Sequence, residues 1–363
     1  MDIIRTEPAV FAVGKEYQIM FRVNCPTLAW VTVGGECYFD DSNGILRSAV
    51  TTHRICVPAD ELDRAGVYTL TLRRIIERKP YFTETDEPVS IEYSFRPVKG
   101  GTIRVYQIAD AHDLVESPVR ACKAFERRYG LIDFLILNGD LLDLNDDEDK
   151  IDNIYRICAD ITQGCIPVVF ARGNRDTRGK CAELCEHTPS DNGNSFYSFR
   201  LGDIWGAVMD CGENKPDSDP ACGNTVCCHA LRMRETRWLE GLIRDAVSEY
   251  AAEGIKHRII IVHSCFTWNY GPNIEPELYR RWAELLREFV RPNLMICGHF
   301  HTLERGYPGD ANDRLGHPCE VVVGSKPRFA GDGISEGFTG VGIIFGESGI
   351  ETHFCGSDEF LPE

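Results

Sequence analysis

Between residues 8 and 96, apolar and polar positions alternate in short runs. Tyr17, Ile19, Phe21 and Val23 alternate with Gln18, Met20 and Arg22, and Tyr68, Leu70 and Leu72 alternate with Thr69 and Thr71. Ile91, Tyr93 and Phe95 do the same against Glu92, Ser94 and Arg96. A period of two turns one face of each run to a core and the other to water. Turn formers at Gly34-Gly35, Asp40 to Gly44 and Arg64 to Gly66 separate the runs. The pattern predicts a small all-β sandwich of fibronectin or immunoglobulin type. Pro97 to Gly101 punctuates the chain, which places a domain over 1–98 and a second over 99–363.

The pattern then changes to strands alternating with helices. Ile103 to Ile108, Phe134 to Leu137 and Val168 to Phe170 are apolar runs. Between them Val119, Cys122, Phe125 and Tyr129 recur at helical spacing, as do Ile151, Ile154, Tyr155 and Cys158. Ser195 to Phe199 and Ile204 to Met209 flank Leu201-Gly202-Asp203 as a hairpin. An amphipathic helix follows over Trp238 to Val247, and another is expected from Glu277 to Phe289. Further strands fall at Arg258 to Val262, Leu294 to Cys297, Val321 to Val323, Val341 to Phe345 and Glu351 to Phe354. This is an α/β pattern, and open α/β sheets bind ligands outside the carboxyl ends of their strands.

Those ends carry the chemistry. Asp110-Ala111-His112, Gly139-Asp140-Leu141-Leu142-Asp143, Gly173-Asn174-Arg175-Asp176, Val262-His263 and Gly298-His299-Phe300-His301 each follow an apolar run. Carboxylates, an amide oxygen and imidazoles are ligands that first-row divalent metals accept. Asp110, His112, Asp140, Asn174, His263, His299 and His301 are seven side chains, too many for one tetrahedral ion. They suffice for two ions bridged by a carboxylate, about 3.5–4 Å apart, a device for phosphoester hydrolysis.

The order of these motifs resembles the calcineurin-like metallophosphoesterase superfamily, and a β-rich region ahead of them resembles its purple acid phosphatase branch. The resemblance implies a catalytic α/β domain of two β-sheets flanked by helices. It implies one divalent ion held by Asp110, His112, Asp140 and His301, and a second held by Asp140, Asn174, His263 and His299. The implied reaction is attack of a metal-bound hydroxide on phosphorus, without a covalent enzyme intermediate. In the family pattern a His follows Gly-Asn and protonates the leaving oxygen; here that position is Arg175. A guanidinium stays charged at pH 7 and cannot act as a general acid, though it can bind a phosphoryl oxygen. Asp143, which would orient that His, is expected to pair with Arg175. Substrates with good leaving groups are therefore expected. Asp143 also stands where purple acid phosphatases carry a metal-binding Tyr, so divalent Mn, Fe or Zn is expected rather than a ferric-tyrosinate centre.

Arg172 and Arg178 flank the Gly-Asn motif, where they either line an anion pocket or pair with acids. Phe266, Trp268 and Tyr270 lie just beyond His263, as stacking residues at the cleft or as the packed base of a loop. Cys181, Cys185, Cys222, Cys227, Cys228 and His229 lack paired Cys-x2-Cys knuckles, so packed thiols are preferred to a zinc site.

Composition sets outer bounds. With 363 residues, two domains are the natural prior. A net charge of −17 argues against a nucleic-acid polymer, so a small phosphorylated substrate is expected. No stretch approaches the ~18 apolar residues of a membrane span. Sixteen cysteines, and a first stretch Met1 to Gly14 without a long apolar run, lead to the expectation of a cytoplasmic protein. Two other functions remain open: a nucleotide or cyclic-nucleotide hydrolase of the same superfamily, and a non-catalytic metal-binding scaffold.

Overall fold

The computed structural model describes residues 3–44, 46–143, 146–180, 182–183, 187–269, 274–331 and 335–358. The N-terminal region contains β1 (Ala9–Val13), β2 (Glu16–Arg22), β3 (Thr27–Val33), β4 (Glu36–Phe39) and β5 (Thr52–Pro58). A short helix α1 (Ala59–Ala65) leads to β6 (Val67–Arg78), β7 (Thr83–Thr85) and β8 (Val89–Ser94). The α/β region begins with β9 (Ile103–Ile108), α2 (Glu116–Tyr129), β10 (Phe134–Asn138), α3 (Asp152–Thr162) and β11 (Pro167–Ala171). The hairpin β12 (Tyr197–Leu201) and β13 (Ile204–Met209) comes next, then α4 (Cys228–Arg244) and β14 (His257–Val262). Then come α5 (Pro276–Leu285), β15 (Leu294–Cys297), β16 (Leu303–Gly306) and β17 (Glu320–Gly324). The last strands are β18 (Lys326–Arg328), β19 (Gly337–Gly346) and β20 (Gly349–Gly356).

Two sheets face each other in the α/β region. The first runs β18-β19-β9-β10-β11-β1-β2-β5, with β20 on β19; the second runs β12-β13-β14-β15-β17-β16. Strands β9, β10 and β11 are parallel, as are β13, β14, β15 and β17. Ile136 and Val105 of the first sheet share one core with Ile259, Ile296 and Val322 of the second. On the far side of the second sheet, Leu239 of α4 and Trp282 of α5 form a separate core with Ile260 and Met295. Helices α2 and α3 cover the outer face of the first sheet, where Phe125 packs 5.7 Å from Tyr106. This is the expected α/β arrangement of two sheets between helices. Buried amides tie the sheets together: Gln107 Nε2 donates to Cys297 O and Gly324 O, and Asn138 Nδ2 donates to Ile296 O.

The N-terminal region is β-rich, but its two sheets are not both its own. β3, β4, β6, β7 and β8 form a separate sheet, whereas β1 pairs in parallel with β11 and carries β2 and β5 onto the catalytic sheet. The physical reason lies in β1, whose Ala-Val-Phe-Ala-Val is apolar on both faces, as an interior strand of a covered sheet must be. β2 departs from the alternation in the same way. Gln18, Met20 and Arg22 on its supposed solvent face are buried, with Arg22 Nη1 on Asp152 Oδ1 of α3 at 2.5 Å and Gln18 Nε2 on Ser190 O at 2.7 Å.

Two helices differ from their predicted extents. α1 was hidden in a presumed turn because it is seven residues long and buries only Leu62. α4 starts ten residues before Trp238 because its first turns turn polar Arg232 and Glu235 inward, which leaves no apolar stripe to read.

Candidate metal centre

All five motifs lie at carboxyl ends of parallel strands: after β9, β10 and β11 in one sheet, and after β14 and β15 in the other. The loops are stitched in pairs. Asp110 N donates to Gly139 O and His112 N to Asp140 O, while Gly298 N donates to His263 O at 2.9 Å. Asp110 Oδ2 then accepts from His299 N at 2.8 Å and joins the two sheets.

The backbone is strained where the side chains converge. Asp110, His112, Asp140, His299 and His301 all have positive φ, from 45° to 74°. Non-glycine residues adopt that region at a cost, and such residues concentrate at functional sites. The motif glycines permit the approach. A Cβ on Gly173 would stand 2.4 Å from Asp140 N, and one on Gly139 would stand 2.7 Å from His263 Cγ.

Six of the seven side chains fall into two adjoining groups. Asp110, His112 and His301 offer ligand atoms within 4.8 Å of one another, and so do Asp140, His263 and His299. Asp110 Oδ1 faces both, 3.5 Å from His301 Nε2 and 3.8 Å from His263 Nε2. Asp140 Oδ2 lies 3.3 Å from His263 Nε2, while its Oδ1 accepts from Arg175 N at 2.8 Å. His263 Nδ1 lies 2.7 Å from Asn138 O; a carbonyl only accepts, so the proton is on Nδ1 and Nε2 is turned toward the carboxylates.

The donor set suits a cation pair. Asp110 Oδ1, Asn174 Oδ1, His263 Nε2 and His299 Nδ1 are buried polar atoms without a hydrogen-bond partner in the chain. An orphaned buried polar atom costs about 1–3 kcal/mol, so four at one place call for a binding partner. The electrostatics agree. Burial works against charge on His263, but Asp140 and Asp110 overcome it and hold the imidazole up to about 10. Burial and the neighbouring His263 push His299 down to about 4, and burial lowers His112. Asp140, despite burial, is held well below the usual carboxylate range by His263 and the Arg175 amide.

Arg175 and Asp143 pair, with Nη1 on Oδ1 at 2.5 Å. Asp143 Oδ1 is also 3.5 Å from His112 Nδ1, and Arg175 Nε is 3.9 Å from Asp140 Oδ2. The guanidinium therefore sits over the edge of the cluster. Arg172 and Arg178 stand in ion pairs: Arg172 Nη2 on buried Asp210 at 2.6 Å, and Arg178 on both oxygens of buried Glu213 at 2.6 and 2.7 Å. Of the aromatic residues beyond His263, Phe266 and Trp268 are buried against Trp282 and His317, the loop-base alternative. Tyr270 lies outside the described residues, as do Cys181 and Cys185. Among the described residues, Cys222, Cys227 and Cys228 join no metal-type cluster.

Three further residues of the site were assigned no role from the sequence. Asp176 accepts the amides of Gly173 and Asp140, at 2.7 and 3.2 Å, and locks those loops together. Burial and the Asp140 charge push its carboxyl up to about 7. Asn214 Nδ2 reaches His299 Nε2 at 3.2 Å. Phe329, half exposed, sets its ring 6.2 Å from that of His112. Only Asp176, within a recognised motif, was available to sequence reasoning.

Residues 103–303, a little over half of the chain, match the calcineurin-like phosphoesterase family. The fold is similar to a purple acid phosphatase from yellow lupin (Lupinus luteus) seeds, with 14% identity and a TM-score of 0.59 over 99% of this chain and 74% of that one. It is also similar to the anchor in the inner membrane complex of Plasmodium, at 12% identity and a TM-score of 0.45 over 72% of this chain and 86% of that one. No curated protein sequence matches. The chain belongs to the calcineurin-like phosphoesterases, metal-dependent hydrolases of phosphate esters.

Proposed function

We propose that this chain hydrolyses small phosphate esters with a pair of divalent ions, Mn, Fe or Zn. Asp110, His112, Asp140 and His301 would hold one ion, and Asp140, Asn174, His263 and His299 would hold the other. The observation that carries this reading is the convergence of four orphaned buried ligand atoms from four loops. Asp140 would be shared between the two sites, and the Arg175 amide on its Oδ1 fixes its orientation. When bound, the ions supply an acidified water as nucleophile and offset charge on the phosphoryl oxygens.

The protein's own contribution lies in positioning. Arg175, held by Asp143, presents N–H donors at the edge of the cluster, where they bind a phosphoryl or leaving oxygen. It has no proton to give at neutral pH, so the leaving group departs on its own acidity. Esters of acidic alcohols and phosphoanhydrides are thus preferred over alkyl monoesters. The net charge of −17 favours small substrates over a nucleic-acid polymer. Every described cysteine is a free thiol, which supports a reducing compartment such as the cytoplasm. No described helix is long and apolar enough to cross a membrane.

The test is elemental analysis of the purified protein, followed by a panel of bis-aryl diesters, monoesters and nucleotides with Mn, Zn or Fe(II). Two ions per chain and hydrolysis of activated esters are expected, both lost in Asp140→Asn. A folded protein that takes up no transition ion overturns the proposal.

A further inference from the structure

A cleft of about 610 Å³ adjoins the metal centre, between the loop after β11 and the start of α4. That volume is within the range of small-molecule sites. Two features place it beside the cluster. Arg172 lines it immediately before Gly173 and Asn174, and Glu213 lines it immediately before Asn214, whose amide touches His299.

The lining is basic in an acidic chain. Arg172, Arg178, Lys180 and Arg234 face the cleft, against Glu183 and Glu213. Asp210 and Glu213 hold Arg172 and Arg178 in place, leaving their positions rigid. Among the described residues, Lys180 and Arg234 stand in no ion pair, and Glu183 is the one lining acid outside such a pair. Leu231 and Val226 supply an apolar stretch of wall. A basic lining with an apolar stretch of wall beside the candidate metal centre suits an elongated ligand that is charged at both ends.

We infer that this cleft seats a second anionic group of the substrate, a carboxylate or phosphate carried on an arm away from the scissile phosphorus. The inference rests on the phosphoesterase reading and adds the substrate class to it. Arg234 is the specificity-determining cation, because it is exposed on α4 and uncommitted, and Arg178, fixed by Glu213, forms the floor. Arg178 loses little freedom because Glu213 already fixes it, and the uncommitted charge of Arg234 favours the charged arm over an apolar one.

The probe is a matched series of hydrolysis-inert phosphonates: ω-phosphonoalkanoates of three to seven carbons against alkylphosphonates of equal length. Each is measured as a competitive inhibitor of 4-nitrophenyl phosphate hydrolysis. At one or more lengths the carboxylate-ended compound should bind about tenfold tighter at low salt, equivalent to about 1.4 kcal/mol. The advantage should shrink as salt screens the exposed charge. Arg234→Glu should abolish it, whereas Arg280→Glu, on exposed α5 surface away from the cleft, should keep it. Equal inhibition within every pair, or a preference that survives Arg234→Glu, overturns the inference. Should the metal-loaded protein hydrolyse nothing, the phosphoesterase reading fails separately, and calorimetric titration with the same pairs still decides the cleft.

Discussion

Replacing Arg175 with histidine asks whether a missing proton donor limits this site. Arg175 Nη1 lies 2.5 Å from Asp143 Oδ1, and the arginine side chain is 34% exposed. A pair so open to solvent contributes about 0.2–1 kcal/mol, so its loss leaves the fold intact. The bond from Arg175 N to Asp140 Oδ1 is a backbone bond and survives the substitution. Asp143 is then free to orient the new imidazole, whose ordinary pKa near 6.5 suits general acid work at neutral pH. General acid help is worth about 10²–10⁴-fold, and an alkoxide leaving group needs it far more than an aryl oxide. Arg175→His should therefore raise kcat/KM on alkyl monoesters by about 10²-fold while changing aryl esters by less than about tenfold. The assay is kcat/KM across a series of leaving groups between pH 6 and 8. The alkyl rates should also gain an acid-requiring limb that falls as pH rises past the imidazole. An equal change on aryl and alkyl esters, or an unchanged dependence on leaving group, refutes the reasoning.

Three further outcomes follow from the packing. Gly173→Ala sets a methyl 2.4 Å from Asp140 N, so the two loops must part at an overpacking cost of about 1–3 kcal/mol. The protein should fold with a lowered urea midpoint and a reduced metal content; full metal occupancy would contradict the close-approach argument. A chain reduced to residues 99–363 loses β1, β2 and β5, exposing the edge of β11 and the core around Phe11 and Ile19. It should aggregate or melt without cooperativity, and a soluble, cooperatively folding fragment would refute this. Buried Glu235 accepts the Asp210 amide through one oxygen, and burial raises its carboxyl well above the ordinary value. Because folding favours its protonated form, its contribution is fully present below the unfolded pKa near 4.5 and is lost as pH climbs toward the raised value. Glu235→Gln should thus gain stability relative to the parent at pH 8 but not at pH 4, read by urea melts, and an equal difference at both would count against it.

The ligands of the candidate centre were legible because each depends on short-range information. An apolar strand, a glycine and a chelating side chain are neighbours in sequence, and a strand places whatever follows it at its own carboxyl end. The Arg175–Asp143 pair was legible for the same reason, since both residues belong to motifs whose loops are adjacent. The partners of Arg172 and Arg178 were not. Asp210 and Glu213 arrive from the other sheet, and nothing near the arginines in sequence points to them. Phe266 and Trp268 read equally well as rim or as base, because an aromatic triplet has no direction until α5 and His317 cover it.

The N-terminal strands divide along the same line. Alternation along Tyr17 to Val23 announced a strand and one apolar face, and both are present. It carried no information about which sheet β1 would join or that Arg22 would find Asp152, since strand pairing and burial of the second face involve residues more than a hundred positions away. Sequence alone determined the elements, the ligand types and their order, because these follow from local periodicity and side-chain chemistry. The tertiary structure alone decided which strands share a sheet, which arginines are already paired and which remain open to an anion, because those outcomes are set by what the folded chain brings against each group.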